Sequence, residues 1–550
     1  MVHLSTIPQP DEVDDKLVAA VKKAHLQLLD DDDVFTTSVY GSRFAAADLP
    51  RLEMPEREMP KEVAYRMIKD ELSLDGNPML NLASFVTTYM ASPVPRPKGH
   101  IVEEEAEKLM AESFSKNFID YEEYPQSADI QNRCVSMIGR LFHAPVDDDT
   151  TVGAIGTSCV GSSEAIMLAV LAMKKRWKNR RQAAGKSTEN PNIIMSSAVQ
   201  VCWEKAARYF EVDEKLVYCT EERYVIDPEE TVNLIDENTI GICVILGTTY
   251  TGEYEDVKAV NDLLVERGLD TPIHVDAASG GFVAPFVVPD LEWDFRLEKV
   301  VSINVSGHKV SNSPDPGPGH GHPIYGLVYP GVGWVVWRSA EFLPKELVFN
   351  INYLGADQSS FTLNFSKGAS QVIGQYYQLI RLGKHGYRAI MSNLTRTADY
   401  LSDSLEALGF VIMSKKSGEG LPLVAFRLPD VEDGDEDEGR NYDEFALAHQ
   451  LRVRGWVVPA YTMAPHTERL KMLRVVVRED FTRNRCDALI CDIKLSQGVL
   501  EQMDRKTIEQ QEKFIREHHI ASGKSAHNHP KYQNETHSLQ GKTGKTHAIC

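Results

Sequence analysis

An α/β fold built on a mainly parallel sheet is what this sequence predicts, on three observations. Apolar runs of strand length alternate with helical stretches from about residue 160 to 310, the pattern of a parallel sheet with helices on its faces. The run at 240–246 is continuously apolar, as suits a strand covered on both sides. Two successive runs, 272–275 and 300–305, end in Asp276-Ala277-Ala278-Ser279 and in Ser306-Gly307-His308-Lys309. Ligands of such sheets gather at the carboxyl ends of strands.

An acid at one strand end and a lysine at the next suit pyridoxal 5′-phosphate (PLP). The lysine forms the Schiff base, and the acid keeps the pyridine nitrogen protonated. Each half alone is weak, because a lysine after a strand is usually a solvated loop residue. The order and spacing of the pair carry the reading.

Length and composition narrow the classes. The chain has 550 residues, 42% hydrophobic, enough for a sizeable core, with a formal net charge of −21. That field repels nucleic acid and anionic lipid surfaces, so neither is an expected partner. An anionic substrate must then be captured by local cations in a pocket. The eight cysteines include no C-x-x-C pair, which points to a reduced intracellular protein with no metal site. The N-terminus lacks a signal pattern and no apolar run approaches the ~18 residues that span a bilayer. A cytoplasmic protein is expected.

Along the chain, residues 1–50 are charged and broken, with a short helix over 16–29 and an acidic run at 30–33. They form either a mobile tail or an arm on a partner subunit. Helical periodicity over 60–74 is stopped by Asp75-Gly76-Asn77-Pro78. Helices are expected again over 103–114 and 130–142. Gly161-Ser162-Ser163-Glu164 opens a strong helix; its hydroxyls and amides are either an anion site or a simple N-cap. A strand at 193–195, a helix at 201–210 preceded by Gln200, and a helix at 257–267 continue the alternation. The strand at 240–246 ends in Gly247-Thr248-Thr249-Tyr250-Thr251-Gly252. Long helices over 367–382 and 389–408 lead into a smaller α+β domain. Its strands are expected at 410–413, 423–426, 456–459 and 472–477, and its helices at 443–453 and 485–518. The acidic loop 430–438 reads as a solvated insertion, and the last thirty residues as a disordered tail. The expected divisions are an N-terminal arm (1–75), a large cofactor domain (76–385), a small C-terminal domain (386–520) and the tail (521–550).

These residues resemble the glutamate decarboxylases of the PLP-dependent fold-type I superfamily, in the form found in plants, fungi and bacteria. The resemblance covers about residues 35–500. It rests on Asn81-Leu82-Ala83-Ser84-Phe85, Glu123-Tyr124-Pro125-Gln126, Gly161-Ser162-Ser163-Glu164-Ala165 and Gln200-Val201-Cys202-Trp203-Glu204-Lys205. It continues in Leu246–Gly252, His274–Gly281, Ser306–Lys309 and Asn364-Phe365-Ser366. It implies an aspartate-aminotransferase-like fold with an N-terminal arm. Lys309 would anchor PLP, Asp276 would pair with the pyridinium nitrogen, and Gln200 would cover the ring face. Thr248 and Thr251 would line the pocket, and Ser162, Ser163, Ser306 and His308 would hold the phosphate. Ser366 would reach the phosphate across a subunit interface, implying a homodimer or a higher homo-oligomer, a hexamer among the forms. Ser84, Phe85, Asn117 and Asp120 would grip the distal carboxyl of L-glutamate, and Arg474 its α-carboxylate. By itself Arg474 reads as a rim salt bridge on a strand.

The implied reaction runs through an external aldimine and a quinonoid carbanion to 4-aminobutanoate and carbon dioxide, consuming one proton. Serine stands at 84 where most members carry threonine, which keeps the hydroxyl. Plant relatives bind calmodulin through a C-terminal basic segment with tryptophan; residues 503–550 contain none, so calmodulin is not an expected partner. Two proline-rich stretches, near 91–102 and at 310–324, have no counterpart in the family pattern. Their composition is that of translated intron sequence, and a real loop is the alternative. The second follows Lys309 directly, so an impaired homologue stays open, as does a decarboxylase of another amino acid.

Overall fold

The structure, a computed structural model, describes residues 61–72, 82, 104–120, 122–145, 153–307, 328–351, 358–430, 440–478 and 481–511. The expected helix at 16–29, both proline-rich stretches, the acidic loop beyond Asp430 and the tail lie outside them. Of the unit Met1–Gly76, helix α1 (Lys61–Leu72) is described, matching the periodicity at 60–74. The elements that follow belong to the unit Asn77–Cys550.

In chain order the helices α2 (Glu104–Ala111) and α3 (Pro125–Leu141) precede β1 (Ile155–Cys159), α4 (Ser162–Ala183), β2 (Asn192–Ser196), α5 (Val201–Tyr209) and β3 (Asp213–Val217). Then come α6 (Pro228–Asn233), β4 (Thr239–Ile245), α7 (Val257–Glu266), β5 (Ile273–Asp276), α8 (Ala284–Val287), β6 (Val300–Ser306) and β7 (Gly333–Trp337). These strands form one seven-stranded sheet, ordered β1-β7-β6-β5-β4-β2-β3. Strands β3, β2, β4, β5 and β6 are parallel neighbours, and β7 lies antiparallel between β6 and β1. Every residue of β4 and β6 is buried, and each fully buried valine, isoleucine or leucine contributes roughly 1.5–3 kcal/mol. Helix α4 covers one face with Ile166, Val170, Met173 and Trp177. The mainly parallel sheet expected from the sequence is present.

Three strands of this sheet escaped the periodicity. β3 reads Asp-Glu-Lys-Leu-Val because it is a sheet edge, where charge blocks further pairing. β1, with glycine, threonine and serine at its centre, has little apolar pattern. β7 follows a stretch too irregular to read.

A hairpin, β8 (Phe349–Ile351) and β9 (Gln358–Ser360), precedes the long helix α9 (Ser370–Ala407). Its backbone leaves helical geometry at Gly383, with φ 57 and ψ −177, a conformation open to glycine. The two helices expected over 367–382 and 389–408 are its two halves. A second, antiparallel sheet is ordered β10-β11-β13-β12, from β10 (Val411–Ile412), β11 (Leu423–Arg427), β12 (Ala460–Thr462) and β13 (Lys471–Val476). Helices α10 (Glu444–Val453) and α11 (Arg483–Glu501) complete it. Two expectations are corrected. The strand placed at 456–459 lies at Ala460–Thr462 instead: Pro459 has no N–H to give a ladder, and this stretch offers carbonyls, Val457 to Leu82 and Pro459 to Arg474. The helix placed over 485–518 ends at Glu501, and Asp504 caps a new turn by accepting from the Thr507 amide at 3.0 Å.

Candidate active site

The carboxyl ends of β4, β5 and β6 sit side by side, because the three strands are parallel neighbours. Asp276 closes β5, is buried, and accepts three hydrogen bonds. Trp203 Nε1–H donates to Oδ2 at 2.8 Å; Asn304 Nδ2–H and the Ala278 amide donate to Oδ1 at 3.0 and 3.1 Å. A buried carboxylate needs such partners. Ser306 closes β6 one strand over; its Oγ, like that of Ser279, is buried with no partner among the described residues. Buried hydroxyls are normally satisfied, so an orphan at a strand end marks where a ligand fits.

Gly161, not a serine, is the N-cap of α4, and no side chain caps that helix. The simple N-cap reading of Ser162 and Ser163 therefore falls away, and their hydroxyls stand at an uncapped N-terminus, a ready anion site. Gly333 of β7 lies against it: a Cβ there would come within 2.5 Å of the Gly161 carbonyl carbon. Thr248 and Thr251, both buried in the loop after β4, face each other with hydroxyls 3.2 Å apart. Gln200, with an extended backbone, is the residue before α5; its carbonyl accepts the Trp203 amide at 2.9 Å and its side chain caps nothing.

Arg474, 1% exposed, lies on β13 opposite Ala425. Its Nη1 donates to the Thr249 carbonyl, and its guanidinium lies 5.5 Å from the Tyr461 ring centroid. A place on the rim is therefore excluded: the side chain is inside, joined to the loop that carries Thr248 and Thr251. Two residues before Ser84, Leu82 is fully buried; its amide donates to Val457 and its carbonyl accepts from Val476, two residues beyond Arg474.

Asn117 and Ser366 form a second grouping. Asn117 Nδ2–H donates to Ser366 Oγ at 3.3 Å, and Asn117 Oδ1 accepts the Lys367 amide at 3.2 Å. Asp120, three residues on, accepts the Glu123 amide at 3.0 Å. The loop is fastened at two further points. Glu164 Oε1 accepts the amides of Leu363 and Asn364, and Lys367 Nζ donates to the Ser158 carbonyl at 2.6 Å and to Gln131. Burial pushes the Lys367 ammonium down from its ordinary range. Lys309, His308, Ser84 and Phe85 lie outside the described residues.

The sequence reading assigned no role to Trp203, His274, Ser302 or Asn304. The sequence offers one weak signal for them: each is a polar or amphipathic side chain inside an otherwise apolar, buried stretch, where an unpaired polar atom is costly, and that does not tell a paired core residue from a site residue.

These donors fit PLP. The group brings a phosphate for the uncapped helix start, a ring nitrogen for a buried carboxylate and polar edges for the orphan hydroxyl and the threonine pair.

Comparison with known proteins agrees. Residues 55–429 match the family model described as the pyridoxal-dependent decarboxylase conserved domain. The chain is 54% identical over 477 residues to a glutamate decarboxylase of Petunia hybrida, covering 86% of this chain and 87% of that one. Among solved structures it is similar to a Lactobacillus brevis glutamate decarboxylase, with a TM-score of 0.74, 40% identity, and 85% and 98% of the two chains covered. A Burkholderia pseudomallei sphingosine-1-phosphate lyase, 20% identical with a TM-score of 0.65 over 88% and 99% of the chains, shares the fold.

Proposed function

The chain belongs to the glutamate decarboxylases of the pyridoxal-dependent decarboxylase family, and from that membership we infer that it converts L-glutamate to 4-aminobutanoate and carbon dioxide with PLP as cofactor. The observation that carries the reading is the buried Asp276 carboxylate at the end of β5, with the unpartnered Ser306 hydroxyl one strand away and the open start of α4 for a phosphate. When bound, the cofactor supplies an electron sink for the charge left by the departing carboxylate.

The residues divide the work. Lys309 holds the cofactor covalently and Asp276 keeps its ring nitrogen protonated. Ser162, Ser163, Ser306 and His308 hold the phosphate, Thr248 and Thr251 line the pocket, and Gln200 covers the ring. Arg474 fixes the α-carboxylate through a planar fork that a lysine lacks. Ser84 and Phe85 receive the distal carboxyl.

Asn117, Asp120 and Ser366 serve the site of a second copy. Leu363 and Phe365 beside them are 45% and 46% exposed, as is Val160 at 46%, an apolar surface that a partner subunit would cover. The working form is then a homodimer or a larger homo-oligomer. No described helix is long and apolar enough to cross a membrane; a cytoplasmic place is part of the proposal.

Purified chain with PLP is to be given L-glutamate and, separately, aspartate and aromatic amino acids. Carbon dioxide and 4-aminobutanoate are expected from glutamate alone. Comparable kcat/KM with aspartate or tryptophan overturns the substrate assignment. Lys309→Ala abolishes turnover if the lysine carries the chemistry.

A further inference from the structure

We propose that Asn304 and His274 are positioning residues for Asp276: a hydrogen-bonded chain, Ser302–His274–Asn304–Asp276, holds the carboxylate where it keeps the proton on the cofactor's ring nitrogen. The inference rests on Asp276 being the partner of that nitrogen.

The chain is built into the ladder. His274 and Asp276 sit two apart on β5; Ser302 and Asn304 sit two apart on β6. The register places His274 opposite Ser302 and Asp276 opposite Asn304. Residues two apart share one face of a sheet, and directly opposed side chains meet. The four therefore form a block of two by two, all buried.

With a neutral imidazole, donor logic fixes every proton. An ionised carboxylate only accepts, so Asn304 turns its amide nitrogen to Asp276 Oδ1 at 3.0 Å. The amide oxygen then faces His274 Nε2 at 2.7 Å, and Nε2 must carry the hydrogen. His274 Nδ1, left as an acceptor, takes the Ser302 hydroxyl proton at 2.7 Å. This assignment uses the neutral imidazole. Burial pushes His274 down to about 4, consistent with that form. The Trp203 ring lies 5.4 Å from the imidazole and donates to the other oxygen of Asp276, so the carboxylate is held from both sides. Without the imidazole N–H, the Asn304 oxygen is buried without its partner, and the amide that donates to Asp276 is held from the carboxylate side alone.

The test uses full-length apoprotein reconstituted with PLP carrying nitrogen-15 in its ring, read by nitrogen NMR. Wild type is expected at the pyridinium position. Asn304→Leu and His274→Leu move the signal toward unprotonated pyridine, while His274→Gln, whose amide N–H can again reach Asn304, stays near wild type. In Asn304→Leu and His274→Leu kcat falls by about tenfold, the scale of one charge-assisted hydrogen bond, with KM for glutamate little changed. Asp276→Asn is the control. If it loses the pyridinium signal while Asn304→Leu and His274→Leu keep it, the positioning role is overturned. If Asp276→Asn itself keeps the signal, the assignment of Asp276 is overturned, and the inference with it. A merely structural defect would lower apoprotein stability to urea without moving the ring-nitrogen signal. Where Asn304→Leu fails to fold, Asn304→Ala removes the amide without added bulk and carries the same expectation.

Discussion

Arg474 shows how much a single residue does here. It lies inside the protein, its Nη1 fastens the Thr249 carbonyl, and on the proposed reading its guanidinium also meets the substrate α-carboxylate. Arg474→Lys keeps the charge but cannot serve both partners. KM for glutamate is expected to rise by about tenfold or more, the cost of one charged hydrogen bond, and steady-state kinetics with glutamate check it. An unchanged KM would remove Arg474 from the substrate site. Asp276 and Ser306 were legible in the sequence because each ends an apolar run, where a polar side chain stands out. His274, Ser302 and Asn304 were not. A polar residue within a strand looks like any satisfied core residue until the neighbouring strand supplies its partner, and register between strands is not written in either one alone. Gln200 could be placed before a helix, but nothing in that helix's pattern marked Trp203, one turn later, as a partner of Asp276.

At the scale of elements, strand ends are held by side chains from the loops around them. Glu255, fully inside, accepts the Ile245 amide at the end of β4 at 2.7 Å and the Ile226 amide at 3.0 Å, one with each oxygen. Glu255→Gln turns an amide nitrogen toward one of those N–H groups and leaves a buried donor unpaired, which costs about 1–3 kcal/mol. Urea unfolding of the variant against wild type measures it. Strand β5 brings a pH dependence of its own. His274 has a value of about 4 when folded, against 6.5 ordinarily. As pH falls below 6.5 the unfolded chain takes up this proton first, so stability drops progressively until the folded protein protonates near 4. Between pH 7 and 4.5 the loss from this group is about 2 kcal/mol. The urea midpoint of His274→Gln should fall less over that range than that of wild type; equal falls would show that the imidazole takes up its proton equally readily in the folded and unfolded chains. Elements with a single steady pattern were readable: β4 nearly residue for residue, and the start and apolar face of α4. Those shaped by tertiary partners were not: β12 slipped past Pro459, and α11 stopped where Asp504 offered a new cap.

At the scale of the whole molecule, the second-copy reading makes a sharp prediction. Lys309→Ala and the double variant Asn117→Ala/Ser366→Ala should each be crippled. In a co-expressed mixture, half the dimers pair the two kinds of chain, and each such dimer regains one intact site. Activity should therefore return to about a quarter of wild type under twofold symmetry. No recovery in a mixture shown to contain mixed dimers would mean that each site is complete within one chain. The sheet allows a further test, on the proline-rich stretch after Lys309. Removing residues 310–324 shortens the segment between β6 and β7 from 26 residues to 11, a change in closure entropy worth about 0.8 kcal/mol. The urea midpoint should accordingly shift little, while carbon dioxide release from glutamate shows whether the stretch hinders the neighbouring lysine. A deletion that unfolds the protein would mean that the stretch is part of the core.

That expectation follows from the antiparallel placement of β7. Ser306 is paired with Gly333, and the Gly307 amide donates to the Val332 carbonyl at 3.1 Å, so the chain leaves the sheet and returns to it at the same corner. A segment whose two ends are already fastened together can lengthen or shorten with little demand on the strands beneath it. The junction behind the proposed anchor lysine is thus a natural docking port for foreign sequence. A peptide tag or a small reporter domain grafted there would be borne by the scaffold, and any effect of its length would be felt in turnover before it was felt in folding.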